Sequence, residues 1–310
     1  MTPLVAALVW LMPLLLVGSA ALAWRKPTRW AWLLHVLPSL ALGALLLVTA
    51  VWAQSATWMR PVVWVSVAAL LLSAWRWPGL PAGRISVWDA AFTGLVLVVL
   101  LPVVAEGLRG HRVPANPVAL GPVLAGGPFM VGQGGSTPTV NYHVAHSHMR
   151  YAADLIGIGP GGRSARGGGL LPSQPEQYAI FGATVLAPLD GVVISAQGGL
   201  PDWPVPERDP DNPAGNHIVL RGADGQGREA TVLLAHLRRG SVTVRPGDRV
   251  RRGQRLGQVG NSGNTTEPHL HVGVNVGARP GEPLGGEGVP FTLDGVFPVR
   301  GMTLRGSADQ

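Results

Sequence analysis

The sequence predicts two unlike parts: an N-terminal α-helical transmembrane region of about four spans, followed by an all-β domain. Three observations predict this. Residues 1–108 hold ten of the eleven Trp and only eight charged residues, whereas residues 109–310 hold the other 33 charged residues and eight of the nine His. Four long apolar stretches fill the first part. Short apolar and β-branched runs, broken by Gly, Pro and Asp turns, fill the second.

The apolar stretches cover about 3–24, 31–53, 61–75 and 87–105. A helix needs about 20 apolar residues to cross the hydrocarbon core, so the first, second and fourth are long enough and the third is short. The first stretch lacks the basic leader of a signal peptide and three more follow it. Arg25, Lys26 and Arg29 lie between the first two stretches, and Arg76 and Arg84 between the last two; the middle loop carries only Arg60. Positive loops stay in the cytoplasm, which puts both termini outside and makes the β domain periplasmic or extracellular on a bacterial inner membrane. Trp24, Trp30, Trp52, Trp58, Trp75, Trp77 and Trp88 fall near span ends, as interfacial aromatics do. No stretch carries a charge near its centre, so the region reads as an anchor.

Residues 109–137 are rich in Gly and Pro and read as a linker or lead-in strand, which leaves 138–310 for the β domain and a C-terminal extension. Strands are expected at 183–187, 191–196, 216–221, 230–236, 241–245, 256–259 and 269–275. Turn signals such as Pro188-Leu189-Asp190-Gly191 and Pro246-Gly247-Asp248 separate them, the pattern of an antiparallel sandwich.

Composition excludes several classes. The chain has no Cys, so disulfides, thiol nucleophiles and Cys-based zinc sites are out. The net charge of +7 includes no continuous basic run of the kind that binds nucleic acid, and Arg245, Arg249, Arg251, Arg252 and Arg255 read as a solvated hairpin face. The acidic residues Asp202, Glu207, Asp209 and Asp211 do not have EF-hand spacing and read as a solvated loop.

The chemistry-bearing residues fall in three clusters. In Pro268-His269-Leu270-His271-Val272, strand periodicity sends both imidazoles to one face. His236 sits in the apolar run Leu233-Leu234-Ala235-His236-Leu237, and Asp154 follows the His-rich segment Asn141-Tyr142-His143-Val144-Ala145-His146-Ser147-His148. A catalytic zinc takes three N or O ligands and keeps one position open for water, and this set supplies them with two His to spare.

With Gly182–Val193, Gly215-Asn216-His217, Ala235-His236-Leu237, Val244–Gln254 and Gly260-Asn261-Ser262-Gly263 added, residues 138–276 resemble the M23, lysostaphin/LytM-like zinc metallopeptidases. The resemblance implies a LytM-like (duplicated-hybrid-motif) β-sandwich, a Zn²⁺ cofactor, and peptidoglycan peptides as substrate. It also implies His271 and Asp154 as metal ligands, with His236 and His269 as catalytic residues. The family's usual His-x-x-x-Asp motif would place a His at 150, where this chain has Arg150. The Asn141-Tyr142-His143 segment resembles a variant with Asn-x-His further upstream, which favours His143 as third ligand over His148 and His146. The competing reading is a degenerate member that binds cell wall or regulates another hydrolase without catalysis.

Overall fold

The computed structural model describes residues 3–167, 169, 172–277 and 285–308. The N-terminal region is helical: α1 (Pro3–Ala23), α2 (Arg29–Thr49), the single turn α3 (Trp52–Ser55), α4 (Met59–Leu72), continued by tighter turns over Ser73–Gly79, and α5 (Val87–Gly110). Among the described residues, three helical stretches, Arg29–Thr49, Met59–Gly79 and Val87–Gly110, are long and apolar enough to cross a membrane. The 3₁₀ continuation of α4 supplies the length that its sequence seemed to lack.

The two Arg-bearing loops meet at one end of this bundle. Arg29 donates from its backbone to Pro81 O and from Nε to Trp77 O, and Arg76 donates to the carbonyl of Trp24. The β domain lies at the other end, against α3 and the C-terminal ends of α2 and α5. There Arg300 Nε donates to Thr49 O (2.6 Å), one of the last carbonyls of α2, and His111 Nε2 bonds Val48 O (3.1 Å). The positive loops and the β domain are therefore at opposite ends of the helices.

The strands are β1 (Val118–Leu120), β2 (Phe129–Gln133), β3 (Ala153–Gly157), β4 (Thr184–Leu186), β5 (Gly191–Gln197), β6 (Asn216–Ala223), β7 (Glu229–Leu237), β8 (Arg249–Val250), β9 (Arg255–Gln258), β10 (Leu270–Val276), β11 (Glu287–Gly288), β12 (Phe291–Leu293) and β13 (Thr303–Leu304). The main sheet runs β13-β2-β3-β10-β7-β6-β5-β8, with β11 on β10, and every pairing in it is antiparallel. Two small sheets, β4-β9 and the parallel pair β1-β12, pack on its apolar face; that one parallel pair makes the domain mostly rather than wholly antiparallel.

Alternation in β10 shows how the main sheet is sided. Leu270, Val272 and Val274 enter the core with the β7 residues Ala230, Val232 and Leu234. His271, Gly273 and Asn275 take the other face. The expected strand at 241–245 does not form: that stretch packs as an extended loop, with Thr243 N bonded to Leu256 O (2.9 Å) and Val244 buried. The stretch 109–137 holds two strands, β1 and β2, whose residues Val118, Leu120, Phe129 and Val131 belong to the main core.

The helices and the β domain meet at α3. Trp52 is 2% exposed and Ala53 and Ala56 are fully buried, so this segment is a wedge rather than an exposed loop. Val51, Trp52 and Ala53 pack with Met130 of β2 and Ile156 of β3. Ala53 O accepts from Ser164 N (2.6 Å) and Thr57 N donates to Gly162 O (2.9 Å). Trp52, expected in an interfacial belt, is thus packed inside protein, while Trp24, Trp30, Trp58, Trp75 and Trp88 are exposed. Gly162 has φ +75°, and a Cβ there would run into Thr57 Oγ1. Gly162→Ala is expected to cost about 1–3 kcal/mol through left-handed strain and that collision. A thermal melt of the detergent-solubilised chain checks it, and an unchanged midpoint would show that the wedge tolerates displacement.

Candidate metal centre

The centre is assembled by sheet register. β10 lies between β3 and β7, and His271 is directly opposite Asp154 on one side and Ala235 on the other. Opposed residues of an antiparallel pair share a face, so Asp154 and His271 project together from the side away from the core. Asp154 Oδ1 lies 2.9 Å from His271 Nδ1, 3.5 Å from His269 Nε2 and 3.6 Å from His143 Nε2. All three rings converge on one carboxylate oxygen; the other, Oδ2, accepts from Tyr142 OH at 2.8 Å.

His143 comes from a single 3₁₀ turn, Tyr142–Ala145, whose N-cap is Asn141. Asn141 is fully buried, and its amide donates to Gly135 O and Ala152 O, both at 3.0 Å. Its Oδ1 accepts from His143 N (3.1 Å) and His143 Nδ1 (2.9 Å). An amide oxygen can only accept, so Nδ1 carries the proton and Nε2 faces Asp154 with its lone pair. This explains physically the Asn-x-His spacing: the Asn sets the tautomer of the His. His146 and His148, the other two candidates, are exposed on the rim of the cleft and do not approach Asp154.

His236 reaches the site by breaking the strand rule. In β7, Thr231, Leu233 and Ala235 line the cleft, so parity would turn residue 236 into the core. His236 instead has φ +63°, and the β6-β7 register shifts beside it. This bulge returns its ring to the cleft, a common use of bulges beside active sites. His236 Nδ1 donates to Ser262 O (2.9 Å), and His269 Nδ1 to Glu267 O (2.9 Å). Both rings therefore leave Nε2 as the free acceptor. Their centroids lie 4.6 Å apart, and that of His236 is 5.9 Å from His271. Gly215 permits the Ser262 contact: a Cβ there would collide with the Ser262 carbonyl. Sequence reading missed the roles of Asn141, Ser262 and Glu267; only the Asn-x-His spacing and the Gly-Asn-Ser-Gly turn hinted at them.

Burial and mutual charge set the protonation states. Burial lowers His143 to about 4, with the neighbouring His271 and His269 adding to the effect against the pull of Asp154. Burial also holds His236 well below the ordinary imidazole value, reinforced by His269 and His271. Burial alone would raise Asp154, but His269, His143 and His271 outweigh it and keep the carboxyl ionised well below the usual carboxylate range. Desolvation and the adjacent Asp154 push Tyr142 up, so it stays a neutral donor.

A buried carboxylate beside the neutral imidazole of His143 and the ring of His271 is a donor set suited to a divalent cation. One ligand atom from each of His143, Asp154 and His271 lies within 4.8 Å of the others. Zinc–ligand distances of about 2.0–2.1 Å imply ligand separations of about 3.3 Å at tetrahedral angles, and the 2.9 and 3.6 Å contacts to Asp154 bracket that value. His271 Nε2 is buried with no hydrogen-bond partner. Such an orphan costs free energy that a ligand in the cleft would offset. The cleft itself is about 300 Å³, with Leu233, Ala235, Gly273 and Asn264 along its walls.

Fold and site together give a histidine–carboxylate cluster on an antiparallel sheet that could hold a metal ion. Residues 177–283 match the description of Peptidase family M23. The match includes His236, His269 and His271 and leaves out His143 and Asp154. The chain is 37% identical over 67 residues to the peptidoglycan DD-endopeptidase ShyA of Vibrio cholerae, covering 22% of this chain and 14% of that one. It is 30% identical over 120 residues to an uncharacterized metalloprotease of Haemophilus influenzae, covering 38% and 21%. It thus spans about a fifth or less of the length of these relatives. A zinc-containing peptidase from Vibrio cholerae of known structure is 28% identical, over 36% of this chain and 29% of that one, with a TM-score of 0.25.

The protonation states predict a pH dependence for the metal-free protein. His143 and His236 bind their protons in the unfolded chain near pH 6.5 and in the folded chain only well below that. Between about pH 6.5 and 4 the unfolded state holds more protons, so stability falls as pH falls through this window. Asp154 acts in the same direction at lower pH, because its depressed pKa adds stability that is lost as pH drops below the ordinary carboxyl value. Thermal melts of chelator-treated protein should drop most steeply between pH 6.5 and 4, and a flat profile would contradict the buried neutral imidazoles.

Proposed function

We propose that the chain is a membrane-anchored zinc metalloendopeptidase that hydrolyses peptide bonds in peptidoglycan, with its β domain outside the cytoplasm. The observation that carries this reading is the convergence of His143, Asp154 and His271 beside the paired rings of His236 and His269. His143, Asp154 and His271 are the proposed zinc ligands. Zn²⁺ bound there supplies a Lewis acid and a water of lowered pKa.

The chain's own groups do the rest. His236 lines the cleft and His269 Nε2 lies beside Asp154 Oδ1, and both Nε2 atoms are acceptors because both Nδ1 protons are given to backbone carbonyls. One takes the proton of the attacking water and passes it to the leaving amine. The other, once protonated, stabilises the charge that develops on the carbonyl oxygen. Asp154 stays ionised and never accepts a proton in the cycle. The open cleft with its apolar walls suits an extended peptide, and the peptidoglycan endopeptidase among the relatives supports that substrate class. The domain organisation proposed is 1–108 as anchor, 109–137 as connector and 138–310 as peptidase domain.

Two sets of variants test the reading. His143→Ala and His271→Ala should abolish both zinc binding and muropeptide cleavage, whereas His146→Ala and His148→Ala should retain zinc at wild-type stoichiometry. His236→Ala and His269→Ala should keep zinc and lower kcat by about 10²–10⁴. A folded wild-type chain without zinc, or full cleavage by His271→Ala, would sink the proposal.

A further inference from the structure

One contact ties the helical region to the cleft. Gln54, in α3, donates from Nε2 to Glu267 Oε1 at 3.0 Å. The two residues are 213 positions apart in sequence, and neither belongs to the proposed chemistry. Gln54 is held firmly. Its neighbours Ala53, Ser55 and Ala56 are buried, and the flanking backbone is pinned to Ser164 and Gly162.

Glu267 sits in the loop between β9 and β10, and its backbone does what its side chain does not. The Glu267 carbonyl accepts from His269 Nδ1 (2.9 Å) and from Thr265 Oγ1 (2.7 Å), and Thr265 Oγ1 lies 3.0 Å from the same ring nitrogen. That carbonyl selects the His269 tautomer and aims Nε2 at the carboxylate of Asp154. It lies outside any strand, so no ladder bond fixes it. Its orientation depends on whatever holds residue 267, and the hydrogen bond that ties the Glu267 side chain down comes from Gln54.

We propose that Gln54 is a positioning residue for the catalytic centre: through Glu267 it orients His269, so that docking of the helical wedge is required for full turnover. This rests on the peptidase reading above. A proton-transfer group displaced by even part of an ångström loses rate without losing substrate affinity, because the substrate is held elsewhere along the cleft. The helical region is then part of the catalytic apparatus as well as an anchor, and it acts through one hydrogen bond.

The experiment uses the full-length chain in detergent micelles, with Gln54→Ala, Glu267→Ala, the double variant and Glu267→Gln. Zinc content, kcat and KM on a cross-linked muropeptide are measured. The ¹⁵N spectrum of histidine-labelled, metal-free protein is recorded alongside. Gln54→Ala and Glu267→Ala should each lower kcat about fivefold or more, as loss of one hydrogen bond allows, with KM within about twofold and zinc unchanged. The double variant should be no worse than either single, and Glu267→Gln, which keeps an acceptor for Gln54, should retain most of the rate. In the metal-free spectrum the His269 Nδ1–H signal should weaken in Gln54→Ala. A wild type that cleaves, with kcat unchanged in Gln54→Ala or with additive single effects, overturns the coupling and leaves the peptidase reading intact. If the wild type neither binds zinc nor cleaves, the peptidase reading fails. The coupling is then judged by the spectrum alone, where an unchanged His269 signal overturns it.

Discussion

The ionised carboxylate of Asp154 is the constraint that the surrounding structure answers. It is buried on the central strand pair of the main sheet, where an unpaired charge costs several kcal/mol. Two donors meet part of that cost, Tyr142 OH on one oxygen and His271 Nδ1 on the other, while His143 Nε2 and His269 Nε2 lie beside that second oxygen with their lone pairs. Each comes from a different route. His271 arrives by register, His143 by a capped turn, His269 by the loop before β10, and Tyr142 by adjacency to His143. A sheet that slipped by one residue would turn Asp154 or His271 into the apolar core. The hydrophobic alternation of β10 therefore fixes the metal centre as firmly as any polar contact does.

Around that charge, backbone carbonyls and one amide choose which ring nitrogen is available. Asn141, Ser262 O and Glu267 O each take an Nδ1 proton, from His143, His236 and His269 in turn. Burial then keeps His143 and His236 neutral at ordinary pH. The result is one negative charge facing several lone pairs. That pattern favours a divalent cation over a network closed on itself. Among the described residues, His271 Nε2, on the side of the ring away from Asp154, has no hydrogen-bond partner.

Much of this was legible in the sequence, and the reasons differ by element. The His269–His271 pair and the apolar alternation of β10 obey a period of two, so both the strand and its sidedness could be read directly. Four of the main-sheet strands and the two-part organisation followed from composition and turn residues. β3, which carries Asp154, could not be seen: Ala153–Gly157 is buried throughout and shows no alternation. The place of His236 in the cleft was suggested only by resemblance. Parity alone sends it to the core, and the bulge that corrects this depends on a register shift against β6 that no local pattern encodes. The expected strand at 241–245 shows the opposite failure, an alternating run that meets β9 only through isolated bonds such as Thr243 N to Leu256 O, because β9 forms its ladder with β4.

The same limit applies to the second apolar stretch, and it bears on how the two parts are joined. Residues 31–53 read as one continuous span, yet α2 ends at Thr49 and the next four residues leave the helix axis. Val51, Trp52 and Ala53 are apolar because they seal against Met130 and Ile156, not because they face lipid. Hydropathy cannot separate these uses, since burial in protein and burial in lipid demand the same side chains. The difference appears only in the backbone: a lipid-facing segment must satisfy its own hydrogen bonds, whereas Ala53 gives its N–H to Met130 Sδ and its carbonyl to Ser164. A segment that spends its backbone groups on the β domain belongs mechanically to that domain. The join between the parts is thus a packed interface rather than a tether.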